Sequence, residues 1–167
     1  MVAEKAILAC LLLAAHTYEV PPAVMVGIRH VEGGYVGAQI GPNRNGTYDL
    51  GIMQVNTLWI PALARAWQVD HKTAHQLVRD DACVNMRVSA WILKQKIREA
   101  RGSLYGGIAY YHSSTPGIGA RYASKVLTVL ANKGLLKRDY AKPDQRAYYA
   151  SADSLPQPQQ GREDVRQ

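Results

Sequence analysis

The spacing of apolar residues near the N-terminus predicts a helix. Apolar side chains recur there at i, i+3, i+4 and i+7, the spacing of one helical face, at Ile7, Cys10, Leu11 and Ala14. A second interpretation exists, because residues 6–15 form an apolar run after Lys5 that has about the length of a signal-peptide core. Glu4 nearly cancels the charge of Lys5, whereas a signal peptide starts with a positive segment. We therefore favour the first helix of a folded domain.

A second helix is predicted between the prolines at 21 and 22 and the glycines at 33 and 34. Proline is tolerated in the first turn of a helix, where backbone N–H groups have no partner anyway. Met25, Ile28 and Glu32 fall at i, i+3 and i+7 of this helix and share one face. Glu32 therefore occupies a position where a core residue is expected.

The segment from residue 33 to residue 56 is rich in turn-forming residues. It carries glycines at 33, 34, 37, 41, 46 and 51, together with Pro42 and an Asn45-Gly46 turn signal. We expect loop and a short hairpin here. A connection of this length without a helix is commonly a binding or active-site segment, and this one directly follows Glu32.

Helical patterning returns after this segment. We predict helices at about 58–67, 72–79, 82–100 and 103–111 and a last one that ends near Gly134, with Asn56 or Thr57, Asp70, and Asp80 or Asp81 as caps. Helix 82–100 should be central, because one stripe holds Met86, Ala90, Leu93 and Ile97. The sequence thus predicts a mainly α fold over residues 1–138. Residues 139–167, rich in Pro, Gln, Asp and Arg, are predicted to be a flexible tail.

Composition narrows the class of partner without fixing it. The chain has 167 residues, 47% of them hydrophobic and 20% charged, which fits one globular domain. No apolar run is long enough to predict a transmembrane helix. The net charge of +7 favours an anionic partner, such as nucleic acid, an acidic membrane surface or an acidic cell-wall polymer. No nucleic-acid-binding motif accompanies the scattered basic residues, so we do not expect nucleic acid binding.

The two cysteines argue against a metal site. Cys10 and Cys83 show no metal-ligand spacing to each other or to a pair of histidines, and we expect no bound metal. A disulfide and two reduced core cysteines are both compatible with the sequence.

Glu32 is the best candidate for chemistry. A carboxyl group on an apolar helical face can be partly desolvated, which raises its pKa and suits it to act as a general acid near neutral pH. Cleavage of a glycosidic bond needs such an acid, and it also needs a second group to stabilise the charge that develops on the sugar. Asp49 is the nearest candidate for a second carboxylate, although it equally fits a turn aspartate that caps the following backbone.

Several segments, in order along the chain, resemble the lysozyme-like lytic transglycosylases, specifically those associated with type IV secretion and conjugation machines. Residues 10–21 match the cysteine, paired alanines, tyrosine and proline that precede the family's catalytic helix, and residues 30–33 (His-Val-Glu-Gly) match the end of that helix. Residues 48–56 (YDLGIMQVN) resemble the Asp-x-Gly-x-Met-Gln-x-Asn signature of the sugar groove. Residues 81–85 and 90–93 resemble the central helix with its second cysteine, and residues 111–113 resemble a Tyr-Asn-Ser motif.

The resemblance implies a small α+β lysozyme-like domain that cleaves peptidoglycan between N-acetylmuramic acid and N-acetylglucosamine and forms 1,6-anhydro products. Glu32 would be the one catalytic acid and base, and no cofactor is expected. The implied substrate-binding residues are Asp49, Met53, Gln54, Asn56, Tyr111 and His112. Met53 equally fits a plain core residue. The resemblance also implies a disulfide between Cys10 and Cys83, a monomer in the periplasm or cell envelope, and a partner secretion or conjugation apparatus.

Two departures from the family pattern bear on the site. The family has serine where this chain has Gly33, and asparagine where it has His112. Histidine can still donate a hydrogen bond but adds a titratable group, and a polar loop residue without a role is the alternative for His112. Two other functions stay open at this point, a plain peptidoglycan hydrolase and a non-catalytic wall-binding assembly module.

Overall fold

The computed structural model describes residues 2–137, which form helices and one small sheet. The predicted tail at 139–167 and the last residue of the predicted 1–138 domain lie outside the described residues. In chain order the elements are α1 (Val2–Thr17), α2 (Pro22–Glu32), β1 (Gln39–Ile40), β2 (Asp49–Leu50), β3 (Val55–Asn56), a 3-10 turn (Thr57–Trp59), α3 (Ile60–Trp67), α4 (His71–Asp80), α5 (Ala82–Glu99), α6 (Leu104–His112) and α7 (Pro116–Asn132). The predicted mainly α fold with a short β segment is confirmed.

Helix α5 lies at the centre and packs against α1, α4 and α6, while α7 packs against α2 and α6. The predicted stripe on α5 is buried at Met86, Ala90 and Leu93, and Ile97 is half-buried. Two polar side chains of α5, Asn85 and Ser89, are also fully buried. Buried polar groups need hydrogen-bond partners, so α5 must fix other segments through these two residues.

Helix α1 belongs to the same core. Leu11, Ala14 and Ala15 are buried, and Cys10 forms a disulfide with Cys83 in the first turn of α5, with the two Cα atoms 5.0 Å apart. The disulfide that the resemblance implied is thus present. Of the described residues, no helix has both the length and the apolar character that a membrane crossing requires.

The helix boundaries follow local capping chemistry. The Asp70 side chain accepts a hydrogen bond from the backbone N–H of Thr73, and Asp81 caps α5 in the same way. Helix α2 ends at Gly33, whose φ of 62° lies in the left-handed region that glycine adopts without a steric penalty. The family that this chain resembles has serine at this position, and a serine here would adopt the same conformation only with a steric penalty.

The segment between α2 and α3 forms an antiparallel sheet in the order β1-β2-β3. Asp49 on β2 pairs with Ile40 on β1 and with Asn56 on β3. The β1–β2 hairpin is the one predicted, whereas the pairing of β3 was not predicted. Strands of only two residues carry no detectable alternation of apolar and polar side chains. This sheet forms one side of a large polar cleft.

Candidate active site

The cleft has a volume of about 1130 Å³ and lies between the sheet segment and helices α5 and α6. It contains most of the residues that the sequence singled out, namely Glu32, Asp49, Gln54, Asn56, Tyr111 and His112. Its other lining groups are mainly amides, hydroxyls and aromatic rings, among them Asn43, Thr47, Trp59, Tyr110, Ser113 and Thr115. Such a surface offers many hydrogen-bond partners and a few apolar faces to a polyhydroxylated ligand.

Glu32 is the last residue of α2 and its carboxyl group is partly buried at the cleft. The Tyr122 hydroxyl donates a hydrogen bond of 2.5 Å to its Oε1 atom. Burial raises the pKa of Glu32 to about 7, the hydrogen bond from Tyr122 opposes this rise, and the charge of Asp49 adds to it. A carboxyl group with this pKa carries its proton in an appreciable fraction of molecules near neutral pH, as a general acid requires.

Tyr122 is the contact that the sequence analysis missed. It lies on α7 and is only 5% exposed, and burial together with the charge of Glu32 raises its pKa well above the usual tyrosine value. The phenol therefore stays protonated and can only donate to Glu32. The sequence does contain a signal for it, because Tyr122, Val126 and Leu130 fall at i, i+4 and i+8 and all three are buried.

The Asp49 carboxylate is bound by side-chain amides. Asn43 Nδ2 donates to Asp49 Oδ2 at 3.0 Å, and Asn56 Nδ2 donates to Asp49 Oδ1 at 2.8 Å. Asn56 Nδ2 also donates to the Thr47 hydroxyl at 3.0 Å. Both oxygens of Asp49 thus accept hydrogen bonds that hold the hairpin against β3. The sequence allowed a second carboxylate or an aspartate that caps the following backbone, and neither alternative included these bonds to two side-chain amides.

The loop between β2 and β3 is anchored to α5 by Asn85. Its amide accepts from the Met53 N–H at 2.8 Å and donates to the carbonyls of Leu50 at 2.9 Å and Val78 at 2.8 Å. Gly51 has a φ of 69°, and a Cβ atom there would come within 2.8 Å of the Val78 carbonyl oxygen. A glycine is therefore needed for the loop to approach α5 this closely.

The two residues of this loop that were assigned to the groove behave differently. Met53 is fully buried in the core, the alternative that the sequence left open, and its side chain does not line the cleft. Gln54 lines the cleft, but its Nε2 atom donates to the Gly51 carbonyl at 2.8 Å. Its Oε1 atom is the part of the amide that can still accept a hydrogen bond from a ligand.

Tyr111 lines the cleft through its ring, while its hydroxyl is used within the protein. The Tyr111 and Ser89 hydroxyls are 2.7 Å apart, and Tyr111 also donates to the Met53 carbonyl at 3.3 Å. Burial raises the pKa of Tyr111 well above its usual range. Tyr111 therefore ties α6 to α5 and to the β2–β3 loop beneath the cleft.

His112 follows Tyr111 on α6 and lies at the cleft surface. Its ring stacks on Tyr122, with the centroids 4.5 Å apart and the planes at 3°. Burial lowers the pKa of His112, the Lys125 charge lowers it further, and the Asp49 charge opposes both. The imidazole is therefore neutral at neutral pH. Neither of the alternatives drawn from the sequence, a sugar contact or a residue without a role, includes this stacking.

A smaller cavity of about 430 Å³ lies against Tyr18, Trp67 and Trp91. Among the described residues that line it, Arg87 carries the only charge, so this cavity lacks an acid for bond cleavage. Among residues 2–137, no group of three or more His, Cys, Asp or Glu side chains is arranged to hold a metal ion.

No model of a known protein family matches the chain, and no curated protein is significantly similar to it.

Proposed function

We propose that this protein is a lytic transglycosylase with a lysozyme-like fold, which cleaves the β-1,4 bond between N-acetylmuramic acid and N-acetylglucosamine in peptidoglycan. The observation that carries the proposal is the partly buried Glu32 carboxyl, whose pKa is raised to about 7 in a cleft of about 1130 Å³. The motif resemblance, in the same order along the chain, supplies the reaction class.

Glu32 acts first as an acid in the proposed reaction. It gives its proton to the glycosidic oxygen as the bond from that oxygen to C1 of muramic acid breaks. The acetamido oxygen of the same sugar bonds to C1, and the developing positive charge is then carried by the resulting oxazolinium ring. Glu32, now a carboxylate, removes the proton of the C6 hydroxyl, whose oxygen replaces the acetamido oxygen at C1. The anhydro ring closes and Glu32 regains its proton, so water is not consumed.

The hydrogen bonds of Asp49 support a reaction in which the acetamido group of the substrate stabilises the charge at C1, in place of a second protein carboxylate. A nucleophilic carboxylate needs an oxygen directed at C1 of the sugar. Both oxygens of Asp49 instead accept hydrogen bonds from Asn43 and Asn56. In this proposal Asp49 holds the hairpin wall in place, that is, the side of the cleft formed by residues 39–56. Its negative charge also raises the pKa of Glu32, which favours the protonated acid.

The groups along the cleft support a glycan substrate. The amide oxygen of Gln54 and the hydroxyls of residues 113–115 can bind sugar hydroxyl and acetamido groups, and the Trp59 ring offers an apolar face. Both N–H groups of the Asn56 amide are used on Asp49 and Thr47, so Asn56 can offer only its oxygen to a sugar. The small sheet lies on one side of the cleft, and helices α5 and α6 lie on the other. We interpret this arrangement as lysozyme-like.

The cellular setting belongs to the same proposal. The Cys10–Cys83 disulfide supports an oxidising compartment, which for a wall-cleaving enzyme is the periplasm or cell envelope. We propose that the protein acts there as a monomer, needs no cofactor, and opens the wall locally for a secretion or conjugation apparatus.

The test is mass spectrometry of muropeptides released from purified sacculi by the wild-type protein and by Glu32→Gln. We expect 1,6-anhydro muropeptides from the wild type and none from the variant. Products heavier by one water molecule, with reducing ends, would replace the transglycosylase by a hydrolase. No product from either protein, together with sedimentation of the protein with sacculi, would favour the wall-binding module.

A further inference from the structure

We propose that His112 is a positioning residue, whose ring stacks on Tyr122 and holds the phenol in place to donate its hydrogen bond to Glu32. The proposal rests on the proposed function only for its consequence in catalysis. The geometry itself is a property of the folded chain and is testable without substrate. It assigns a role to the residue at which this chain departs from the Tyr-Asn-Ser pattern.

The first step of the argument is the contact between His112 and Tyr122. The two rings are nearly parallel, at 3°, and their centroids are 4.5 Å apart. This separation is at the short end of the range for stacked aromatic pairs. An asparagine has no ring and cannot form this contact, so the stack is specific to the histidine of this chain.

The second step is that the stack has a fixed base. Tyr111 also lies beside the Tyr122 ring, with centroids 6.4 Å apart and planes at 21°. Its own hydroxyl is bonded to Ser89 and to the Met53 carbonyl, so α6 is anchored at this point. Tyr122 therefore contacts two adjacent rings of one well-anchored helix.

The third step links the ring to the acid. Tyr122 reaches Glu32 from a different helix, 90 residues away in sequence, and the hydrogen bond is short at 2.5 Å. A hydrogen bond weakens steeply when its donor moves out of line. Because the hydroxyl lies at the far end of a rigid ring, a small swing of the whole ring about the Cα–Cβ bond displaces it from Glu32. The stack on His112 limits a swing that would carry the ring out of its plane.

The charges around the two residues decide how His112 acts. Glu32 is affected by Tyr122 on α7 and Asp49 on β2, and the imidazole is affected by Lys125 on α7 and by the same Asp49. Burial and Lys125 both keep the imidazole neutral at neutral pH. His112 therefore acts through its ring and not through a positive charge.

Three substitutions separate this role from a direct bond to the sugar. His112→Phe keeps an aromatic ring but loses both hydrogen-bonding nitrogens, whereas His112→Asn keeps a donor but loses the ring. His112→Ala loses both features. Stacking predicts that Phe behaves like the wild type and Asn behaves like Ala. A sugar contact predicts the opposite order.

The decisive measurement is an NMR titration of the Glu32 side-chain carboxyl carbon in the full-length protein, with Glu32→Gln used to assign the signal. The hydrogen bond from Tyr122 lowers the pKa of Glu32, so loosening it must raise that pKa. We expect the pKa to rise by about 0.5 to 1 in His112→Asn and His112→Ala, towards the value in Tyr122→Phe, and to change by less than about 0.3 in His112→Phe. A wild-type pKa in His112→Asn, or equal shifts in Phe and Ala, would overturn the proposal.

Activity on sacculi gives the second measurement. Because Glu32 must be protonated to act as the acid, a higher pKa moves the alkaline limb of the kcat/KM profile to higher pH. We expect this displacement in His112→Asn and His112→Ala, with kcat/KM on the plateau lowered about three- to tenfold, and restoration of most of the loss by Phe. His71→Asn, an exposed histidine at the start of α4, is the matched control. If Asn keeps full activity while Phe loses it, His112 binds the sugar and the proposal fails. If the wild-type protein releases no product, the proposed function fails, while the NMR titration still decides the role of His112.

Discussion

The cleft has a helical wall, which contains Glu32 at the end of α2, and a hairpin wall, which contains Asp49 on β2. Each wall carries one carboxyl group, and the surroundings of the two groups differ. On the helical wall, the Glu32 carboxyl accepts a hydrogen bond from Tyr122 and loses much of its hydration, and its pKa is raised to about 7. On the hairpin wall, both oxygens of Asp49 accept hydrogen bonds from side-chain amides. The first carboxyl is placed to hold and release a proton, whereas the second holds neighbouring segments of the hairpin together. The environment of a carboxyl group, more than its presence in a cleft, decides its role.

Glu32→Gln should give the largest effect on this contrast. The amide cannot donate or accept the proton during bond cleavage, and we expect peptidoglycan cleavage to fall about 10³-fold or more. Muropeptide release measured over time from purified sacculi provides the rate. Glu19→Gln, at an exposed ion pair with Lys94, is the control and should retain wild-type activity. Residual activity above one tenth in Glu32→Gln would mean that the helical wall does not supply the acid.

Asn85→Ala should detach the hairpin wall from the core. It would leave the Met53 N–H and the Leu50 and Val78 carbonyls without their partner, at a cost of about 3 to 4 kcal/mol in the free energy of unfolding. Urea denaturation measures this cost. Ser89→Ala, which removes a single bond to Tyr111, should cost only about 1 kcal/mol. Equal costs for the two variants would show that Asn85 is not the anchor.

The raised pKa of Glu32 should also appear in stability. The folded state holds the proton more tightly than the unfolded chain, because the pKa rises from 4.5 to about 7. The free energy of unfolding therefore falls as pH rises from about 4.5 to about 7, and about 3 kcal/mol is lost above that range.

Glu32→Gln, which has no charge to bury, provides the comparison for this loss. We expect its unfolding free energy to match the wild type at about pH 4 and to exceed it by about 3 kcal/mol at about pH 8. Parallel urea titrations of the two proteins across this range would reveal the difference. A constant difference at all pH values would mean that the Glu32 carboxyl is not desolvated.

Asp49→Asn should give the smallest effect. The amide replaces one accepting oxygen by a donor, so one of the bonds from Asn43 or Asn56 is lost, and we expect a cost of about 1 to 2 kcal/mol in stability and at most about a tenfold loss in cleavage rate. Asp70→Asn, at a helix cap where asparagine serves equally well, is the control for stability. A loss of activity as large as that of Glu32→Gln would break the contrast between the walls, because Asp49 would then take part in the chemistry.

The helices and the position of Glu32 were predictable because both depend on local pattern. The spacing around Ile28 placed Glu32 on a buried face, and the cap at Asp70 marked the start of α4, as the structure shows. The disulfide was predicted only through the family resemblance. What the sequence did not predict depends on contacts between distant segments. In the sequence, Asn85 and Ser89 resemble ordinary polar helix residues. Their hydrogen-bond partners lie on the β2–β3 loop and on Tyr111, which contact α5 only in the folded structure.

The site shows the same division. The sequence motifs identified many of the residues that line the cleft. The spacing of residues along the chain could not show that Asn43 and Asn56 would bind Asp49. Nor could it place Tyr122 beside Glu32, since α7 packs against α2 across a separation of 90 residues in sequence. The apolar face that Tyr122 shares with Val126 and Leu130 indicated burial, and the polar contact at its tip came from tertiary packing.

The bond between Cys10 and Cys83 divides the residues of the candidate site in a way that proteolysis would reveal. It closes a covalent ring of residues 10–83, which contains Glu32 and the complete hairpin wall, whereas His112 and Tyr122 lie outside that ring. A protease that cuts the exposed hairpin tip near Gly46 would therefore open the ring without releasing a fragment, and the two pieces would separate only after reduction. Glu32 and the segment that carries His112 and Tyr122 therefore stay covalently joined after such a cut for as long as the surroundings remain oxidising.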